Sequence, residues 1–265
     1  MNETINRRGA IIGAATVLGA GLIPYHASAQ SKPRTFVLVH GAWHGGWCWT
    51  RVSEGLRKKG HDVFSPTMTG LGERSHLINH SVNLSTHITD IKNVIEWESL
   101  SDIVLVAHSY GGIIASGVAE QMHEKISSIV FLDAFLPEDG DTLLGKSSPG
   151  FVEAINKAIA SNSTGIKPPP SAAFGVEEAD RAWVDSKTTP QPVGTYTEKA
   201  IYKGGRDKIA KRTYIRTTKY KSATFDKNLE KLKANGSWQI HEMDTGHDAM
   251  ITAPQALTDI LLTTV

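Results

Sequence analysis

The chain has 265 residues, of which 40% are hydrophobic and 21% are charged, a composition typical of a globular protein with room for one α/β domain and an insertion. Its 28 basic and 27 acidic side chains nearly cancel, which argues against binding to nucleic acid or to an anionic membrane surface. Cys48 is the only cysteine, so no disulfide can form within the chain.

The N-terminal segment has the pattern of an export signal. An arginine pair at residues 7 and 8 precedes an apolar, glycine-rich run at 10–23, and small residues at 27 and 29 are typical of a cleavage site. The pair favours the twin-arginine route. The run is too short and too rich in glycine to predict a membrane span, although an uncleaved anchor is the alternative. We therefore expect a signal peptide at 1–29 and a periplasmic or secreted protein without integral membrane association after cleavage.

Strand and helix patterns alternate over residues 30–265, which predicts one α/β domain with a mainly parallel sheet and helices on both faces. In chain order, the predicted strands cover residues 35–39, 61–64, 102–106, 128–132, 212–217 and 237–243. The predicted helices cover residues 51–59, 83–98, 112–121, about 151–160, 177–185 and 225–233, with a last one from Pro254. The alternation breaks at about 135–206, where proline-rich segments predict an inserted lid.

A serine stands where the third predicted strand gives way to a helix. Residues 104–112 read VLVAHSYGG, so Ser109 would occupy a sharp strand-to-helix turn, the nucleophile elbow of serine hydrolases. Small residues are needed two positions before and after it, and Ala107 and Gly111 meet this condition. The alternative is a glycine-rich helix start that holds a phosphate.

The loop after the first strand predicts an oxyanion hole. It contains His40-Gly41-Ala42-Trp43, and backbone N–H groups in this position can stabilise a tetrahedral oxyanion. We expect the two donors to be the N–H groups of Ala42 and of Tyr110, the residue after the serine. A glycine-rich turn with packing tryptophans is the alternative.

A serine hydroxyl needs a base to accept its proton. In serine hydrolases with a nucleophile elbow, the histidine that acts as this base follows the last strand. His247 is in that position. His241 is a weaker rival because it lies inside the predicted strand, and His40, His44 and His108 are expected to pack or to form hydrogen bonds.

The acid that orients the base has two candidates. No carboxylate stands at the end of the strand at 212–217, and the first one downstream, Asp226, falls at a helix start where an N-cap role is the simpler interpretation. Asp133 ends the buried strand at 128–132, where an unpaired carboxylate would be costly and an imidazole partner would compensate it. We favour Asp133 over Asp226, with an unidentified acid as the remaining alternative.

Four motifs together resemble one subfamily of the α/β-hydrolases. They lie at residues 40–49, 69–76, 107–112 and 246–250. The subfamily comprises plant methyl salicylate and methyl jasmonate esterases, hydroxynitrile lyases and bacterial esterase relatives. The resemblance covers essentially the whole chain after the signal and is weakest in the lid. It implies the α/β-hydrolase fold and ester hydrolysis without a metal or cofactor.

Two departures refine this resemblance, and a comparison with the dehalogenases adds a third difference. The plant enzymes carry their acid after the post-lid strand, where this chain has Tyr220, whereas haloalkane dehalogenases carry theirs at the end of the pre-lid strand, which supports Asp133. Hydroxynitrile lyases have a lysine directly after the histidine, where this chain has Asp248, and a carboxylate there would oppose a cyanide leaving group. Dehalogenases use an aspartate nucleophile where this chain has Ser109.

The sequence therefore predicts a carboxylic ester hydrolase that acts on small aromatic or otherwise hydrophobic esters. A C–C lyase and a non-catalytic ligand-binding homologue are the alternatives, and the missing post-lid acid is the only support for the second. The oligomeric state is left open, a homodimer included. The side chains expected to line the pocket, each with core packing as its alternative, are Trp43, Phe135, Leu136, Phe151, Phe174, Trp183 and Met250.

Overall fold

The computed structural model describes residues 32–265, so the predicted signal peptide lies outside the described residues. Six parallel strands form the central sheet in the order β2-β1-β3-β4-β7-β8, and β5 and β6 form a small antiparallel pair. The strands are β1 (Thr35–Val39), β2 (Asp62–Phe64), β3 (Ile103–His108), β4 (Ile126–Leu132), β5 (Gly165–Ile166), β6 (Gln191–Pro192), β7 (Lys211–Thr217) and β8 (Gln239–Met243).

Helices connect these strands, and short α-helices and 3₁₀ turns fill the insertion between β4 and β7. The helices are α1 (Thr50–Lys58), α2 (Leu84–Trp97), α3 (Gly111–Met122), α4 (Leu143–Lys146), α5 (Pro149–Ala160), α6 (Glu178–Lys187), α7 (Gly194–Thr197), α8 (Ala223–Asn235), α9 (Ala249–Thr252) and α10 (Pro254–Thr263). None of the helices within residues 32–265 is long and apolar enough to cross a bilayer.

The strand order places helices on both faces of the sheet. The connection from β1 to β2 runs in one direction across the sheet, while those from β2 to β3, β3 to β4 and β7 to β8 run in the other. Because such crossovers are right-handed, α1 falls on one face and α2, α3 and α8 on the opposite face. Helix α10 packs on α1, and α2 packs on α3. The expected α/β-hydrolase architecture is confirmed.

The predicted strands and longer helices are present with ends that differ by at most two residues. Helix α2 begins one residue later than predicted because Asn83 caps it. The Asn83 side chain accepts a hydrogen bond from the Thr86 N–H, and the Thr86 hydroxyl is bonded in return by the Asn83 N–H. The short helices α4, α7 and α9 were not predicted, since four-residue segments carry too little periodicity.

The direction of chain progression reverses between β1 and β3, which are neighbours in the sheet. Ligands of open parallel sheets bind at the carboxyl ends of the strands beside such a reversal. Ser109 follows β3 and Asp133 follows β4, while Ala42 and His247 lie in the loops after β1 and β8. Four separate stretches of sequence therefore meet at one edge of the sheet.

Candidate active site

Ser109 occupies a tight turn between β3 and α3. Its backbone has a φ of 53°, in the left-handed region, where a residue other than glycine is strained. Gly111 makes the turn sterically feasible, because a Cβ atom there would lie 2.9 Å from the carbonyl oxygens of both Val39 and His40. At the next position, a Cβ on Gly112 would overlap the carbonyl oxygen of Phe135.

Asp133 and His247 are in direct contact. Nδ1 of His247 lies 2.6 Å from Oδ2 of Asp133, and both side chains are almost fully buried. The Asp133 backbone has a φ of 43°, and its N–H donates to the carbonyl of Ile215 over 2.7 Å. A buried carboxylate needs such a partner, as the sequence argument required.

Asp226, the rival acid, is not bonded to His247. Its Oδ1 accepts hydrogen bonds from Nε and Nη2 of Arg216 at 3.0 and 2.7 Å, and 56% of its side chain is exposed. Arg216 in turn donates from Nη1 to Oδ1 of Asp133 over 2.6 Å. The two candidate acids are thus joined through one arginine, and only Asp133 reaches the imidazole.

Several contacts fix the His247 ring. Its backbone N–H donates to the carbonyl of Phe174 over 2.7 Å, and its own carbonyl pairs with Nε2 of His108 at 3.1 Å. The ring of Tyr220 stacks on the imidazole with a centroid separation of 4.3 Å. Ser109 and His247 line the same cavity, although no hydrogen bond among residues 32–265 joins their side chains. Such bonds are often long in unliganded enzymes and tighten when substrate binds.

Two backbone N–H groups are available beside Ser109. Ala42 and Tyr110 both line the cavity, and within residues 32–265 no hydrogen bond uses the N–H of either residue. The loop after β1 is pressed against the elbow, because a Cβ on Gly41 would lie 3.0 Å from Cβ of Ser109. The arrangement has the donors that an oxyanion hole requires.

A second set of buried polar groups supports this loop. His44 lies with Nδ1 2.8 Å from the Ala42 carbonyl and Nε2 3.2 Å from Oδ2 of Asp248. Burial opposes a charged His44, but the Asp248 carboxylate outweighs it and raises the pKa of His44. Burial would raise the pKa of Asp248, but its histidine neighbours, His44 foremost, hold that pKa below its usual value. The Asp248 side chain is fully buried and does not line the cavity.

The other histidines of the region are buried and neutral. Burial lowers the pKa of His40 to about 3, and its Nε2 accepts a hydrogen bond from the Met68 N–H. Burial also lowers the pKa of His108 well below its usual value. His108, His247 and Asp248 bring potential ligand atoms within 4.8 Å of one another, a spacing suited to a metal ion. Within the protein, Nε2 of His108 is paired with the carbonyl of His247 and Oδ2 of Asp248 with His44.

The cavity above these groups has a volume of about 460 Å³. Of the seven side chains expected in it, Trp43, Phe135, Phe151 and Phe174 do line it. Aromatic side chains that were not predicted also face it, from α7, from the loop after β7 and from α8: Tyr196, Tyr220 and Phe225. For Tyr220 the sequence contained a signal that it lies near the site, because it stands where the plant enzymes carry their acid.

Three of the predicted pocket residues do not line this cavity. Leu136, which directly follows Phe135, lines a separate groove beside α8. Trp183 packs edge-on against Trp47, below the guanidinium of Arg51. Met250 is fully buried in the core within α9. Apolar character alone did not distinguish a cavity wall from ordinary packing.

One side of the cavity is polar. It carries two lysines and a group of hydroxyls, and no carboxylate lines the cavity among the described residues. Nζ of Lys146 pairs with Asp141 at 2.6 Å. The polar lining comprises Lys146, Ser147, Ser148, Lys221, Ser222 and Thr224. The cavity lining therefore combines aromatic rings with hydroxyl groups and the two lysines.

Comparison with known proteins agrees with the geometry. Residues 36–260 match the Alpha/beta hydrolase family. A carbendazim hydrolyzing esterase from Nocardioides sp. (strain SG-4G) is 39% identical over 235 residues, which cover 85% of this chain and 97% of that protein. Methylesterase 10 of Arabidopsis thaliana is 27% identical over 263 residues, covering 89% and 93%. The structure of an extracellular alpha/beta-hydrolase from a Paenibacillus species has a TM-score of 0.76 at 24% identity, covering 88% and 99%, which shows a shared fold.

Proposed function

The chain belongs to the alpha/beta hydrolase family and is a carboxylic ester hydrolase, and we propose that Ser109, His247 and Asp133 are its catalytic triad. The observation that carries this assignment is the 2.6 Å contact between His247 and Asp133 below the cavity that Ser109 lines. The three side chains follow in the order serine, acid and histidine, which is the order of this fold.

In the proposed mechanism, Oγ of Ser109 attacks the ester carbonyl while His247 accepts the hydroxyl proton. Oδ2 of Asp133 holds the ring through Nδ1 and stabilises the imidazolium that forms. The N–H groups of Ala42 and Tyr110 donate to the oxyanion of the tetrahedral intermediate. The alcohol leaves with the proton from His247. Water, activated by the same imidazole, then hydrolyses the acyl-enzyme.

The preferred substrate in this proposal is a small ester with an aromatic or otherwise hydrophobic group. The aromatic rings of Trp43, Phe151 and Phe174 support it, since flat apolar groups pack well against such walls. The names of the relatives suggest two probes, carbendazim and methyl jasmonate, to set beside phenyl, benzyl and long-chain alkyl esters. A long-chain preference with no activity on aromatic esters would contradict the proposed substrate class.

Phe151→Ala tests the aromatic wall, and Trp183→Ala is the matched control because Trp183 is an aromatic side chain outside the cavity. Phe151→Ala should raise KM for aromatic esters by about tenfold, the effect of removing one buried apolar contact surface. Trp183→Ala should leave KM unchanged. Equal effects of the two substitutions would mean that Phe151 does not contact the substrate.

The direct test of the mechanism is covalent labelling. A fluorophosphonate should label Ser109 in the intact protein, and p-nitrophenyl acetate should give a burst of p-nitrophenol as the acyl-enzyme accumulates. Ser109→Ala should abolish both. A protein that neither reacts with the fluorophosphonate nor hydrolyses any ester would be the non-catalytic homologue instead. The contact between Asp133 and His247 supports Asp133 as the acid and so argues against that alternative.

Cyanide release is disfavoured by the surroundings of His247. The residue after it, Asp248, is a buried carboxylate bonded to His44 and supplies no positive charge for a leaving cyanide. Release of cyanide from mandelonitrile, with loss of that activity in Ser109→Ala, would restore the lyase hypothesis.

Export is the second part of the proposal. The arginine pair and the apolar run within residues 1–29 support a cleaved twin-arginine signal and a periplasmic or secreted enzyme. Replacement of both Arg7 and Arg8 by lysine should leave uncleaved precursor inside the cell, as judged by fractionation and by the mass of the product. Normal export of that double variant would contradict the twin-arginine route.

A further inference from the structure

Arg216 is a buried arginine in β7 with a partner for every one of its five N–H donors. Only 3% of its side chain is exposed. Nη1 donates to Oδ1 of Asp133 and to the carbonyl of Thr217, and Nη2 donates to the carbonyl of Tyr220 and to Asp226. Nε completes the set with a second bond to Asp226. A guanidinium with all donors used in a buried site is held in one orientation.

The Nη1 group of this guanidinium, which is bonded to Asp133, determines which carboxylate oxygen faces the histidine. Oδ1 of Asp133 accepts from Arg216 at 2.6 Å and from the Thr217 N–H at 3.2 Å. That leaves Oδ2 for His247. A carboxylate with two fixed bonds on one oxygen cannot rotate to present that oxygen to the imidazole without breaking both of them.

The Nη2 side of the guanidinium contacts the two segments whose aromatic rings pack on the imidazole. Nη2 binds the carbonyl of Tyr220 over 2.7 Å, and the Tyr220 ring stacks on His247. Asp226 follows Phe225 at the start of α8, and the Phe225 ring lies nearly parallel to the imidazole, 14° apart, with a centroid separation of 5.6 Å. One guanidinium therefore ties together the acid and both rings that hold the proposed base.

Charge balance explains why an arginine is tolerated here. Burial disfavours the charged guanidinium, but Asp133 and Asp226 outweigh this cost and raise the pKa of Arg216. An arginine stays charged at any working pH, and its planar fork can bind a carboxylate and two carbonyls at once. A lysine could supply the charge but would lack the number and geometry of these donors.

We propose that Arg216 is a positioning residue, which holds Oδ2 of Asp133 and the Tyr220 ring in the arrangement that orients His247 for proton transfer. The proposal rests on the proposed triad. Arg216 lies outside the cavity lining, so it acts through Asp133 and Tyr220 and does not touch the substrate. It should therefore affect kcat and leave KM almost unchanged.

The test compares Arg216→Gln and Arg216→Lys with Arg212→Gln. Arg212 is a matched control because it lies on the same strand and also pairs with an aspartate. That partner, Asp207, has a more exposed side chain than Asp133. Arg216→Gln should lower kcat by about 10²-fold, the effect of misplacing a catalytic group by about 1 Å. KM should change by less than about twofold. Arg216→Lys should recover part of kcat, and Arg212→Gln should resemble the wild type.

A second readout separates positioning from general structural damage. The groups near His247 are Asp133, Asp248, His108 and Tyr220, and Arg216 supplies the positive charge behind Asp133. Arg216→Gln removes that charge, so the acidic limb of the kcat–pH profile should move to higher pH. The downfield proton resonance of the Nδ1–H bond should broaden or shift in Arg216→Gln and persist in Arg212→Gln.

Removal of one partner of a buried ion pair strongly destabilises proteins, so Asp226→Asn is a milder second variant. It weakens the exposed end of the arrangement and leaves Arg216 in place, and kcat should fall by no more than about fivefold. A folded Arg216→Gln or Arg216→Lys protein with wild-type kcat and an unmoved pH profile would overturn the proposal. Failure of the triad itself would appear differently, as undiminished activity in Ser109→Ala.

Discussion

Two buried charge networks flank His247, and they are built from different chemistry. The acid-side network consists of Asp133, Arg216 and Asp226, and it ends at a carboxylate that is 56% exposed. The loop-side network consists of His44, Asp248 and His108, all of them buried. The first contacts the imidazole directly, whereas the second supports the loop that carries Ala42.

The two networks differ in how many of their polar atoms have hydrogen-bond partners. They also differ in whether their positively charged group titrates. The guanidinium of Arg216 uses all its donors and keeps its charge at any ordinary pH. In the loop-side network, Oδ1 of Asp248 and Nδ1 of His108 have no hydrogen-bond partner among the described residues. Its cationic member, His44, has a raised pKa and, unlike an arginine, is a group that titrates. The base is thus held by a permanent charge and the oxyanion loop by a conditional one.

The largest effect should come from the inner end of the acid-side network. Asp133→Asn should lower kcat by about 10⁴-fold while the protein stays folded, since the imidazole loses the partner that sets its tautomer. Asp226→Asn is the control, as it removes the carboxylate that the sequence left as the rival acid. Kinetics of both variants with one ester decide between them. A large loss in Asp226→Asn with a small loss in Asp133→Asn would reverse the assignment.

The next effect concerns stability and its pH dependence in the loop-side network. The folded pKa of His44 is raised, so its contribution is complete below about pH 6.5 and is lost as pH rises through the folded pKa. The folded pKa of Asp248 is lowered, so its contribution is complete above about pH 3.8 and is lost as pH falls through the folded pKa. The pair should therefore stabilise the fold most between about pH 4 and 6.5.

Asp248→Asn should destabilise the protein by about 3 kcal/mol within that pH window, because it leaves a buried imidazolium without its counter-charge. Denaturant unfolding of wild type and variant at a series of pH values measures the difference. The difference in unfolding free energy between wild type and variant should become smaller below about pH 4 and above about pH 6.5. A gap that stays constant from pH 4 to pH 9 would show that His44 and Asp248 are not an ion pair.

The smallest expected effect on kcat separates charge from hydrogen bonding in the same network. His44→Gln keeps an amide donor for the Ala42 carbonyl and removes the titrating charge. It leaves the buried Asp248 carboxylate without its counter-charge, so it should cost about 3 kcal/mol of unfolding free energy, as Asp248→Asn does. The retained bond should keep the Ala42 N–H in place, so kcat should change little. A loss of kcat comparable to that of Arg216→Gln would mean that the two networks do not differ in role.

Local patterns in the sequence located much of the site. Ser109 follows the apolar run of β3, His247 follows the last predicted strand, and Gly111 marks the close approach of helix and strand. The choice between Asp133 and Asp226 needed the sheet order, since β4 and β7 are neighbours although 78 residues (133–210) lie between them in the chain. From the sequence, Asp133 was favoured by the cost of burying an unpaired carboxylate and by the resemblance to haloalkane dehalogenases.

Arg216 was missed because nothing local distinguishes it from a solvent-exposed arginine on a strand. Its partners come from β4, from the loop after β7 and from α8, and only the assembled fold brings them together. Leu136, Trp183 and Met250 failed for a related reason, because an apolar side chain near a site can face the cavity, a separate groove or the core. The structure had to supply the direction of each side chain.

The alignment of β4 with β7 gives the Asp133–Arg216 pair a further consequence for folding. Leu132 pairs with Ile215, so the next residues along the two strands, Asp133 and Arg216, come side by side. Because a slip of one residue turns every side chain of a strand to the opposite face, a misaligned β7 would bury a lone guanidinium and leave Asp133 without its partner. The pair therefore penalises the wrong strand alignment, and the site helps the sheet to reach its correct register before any substrate is present.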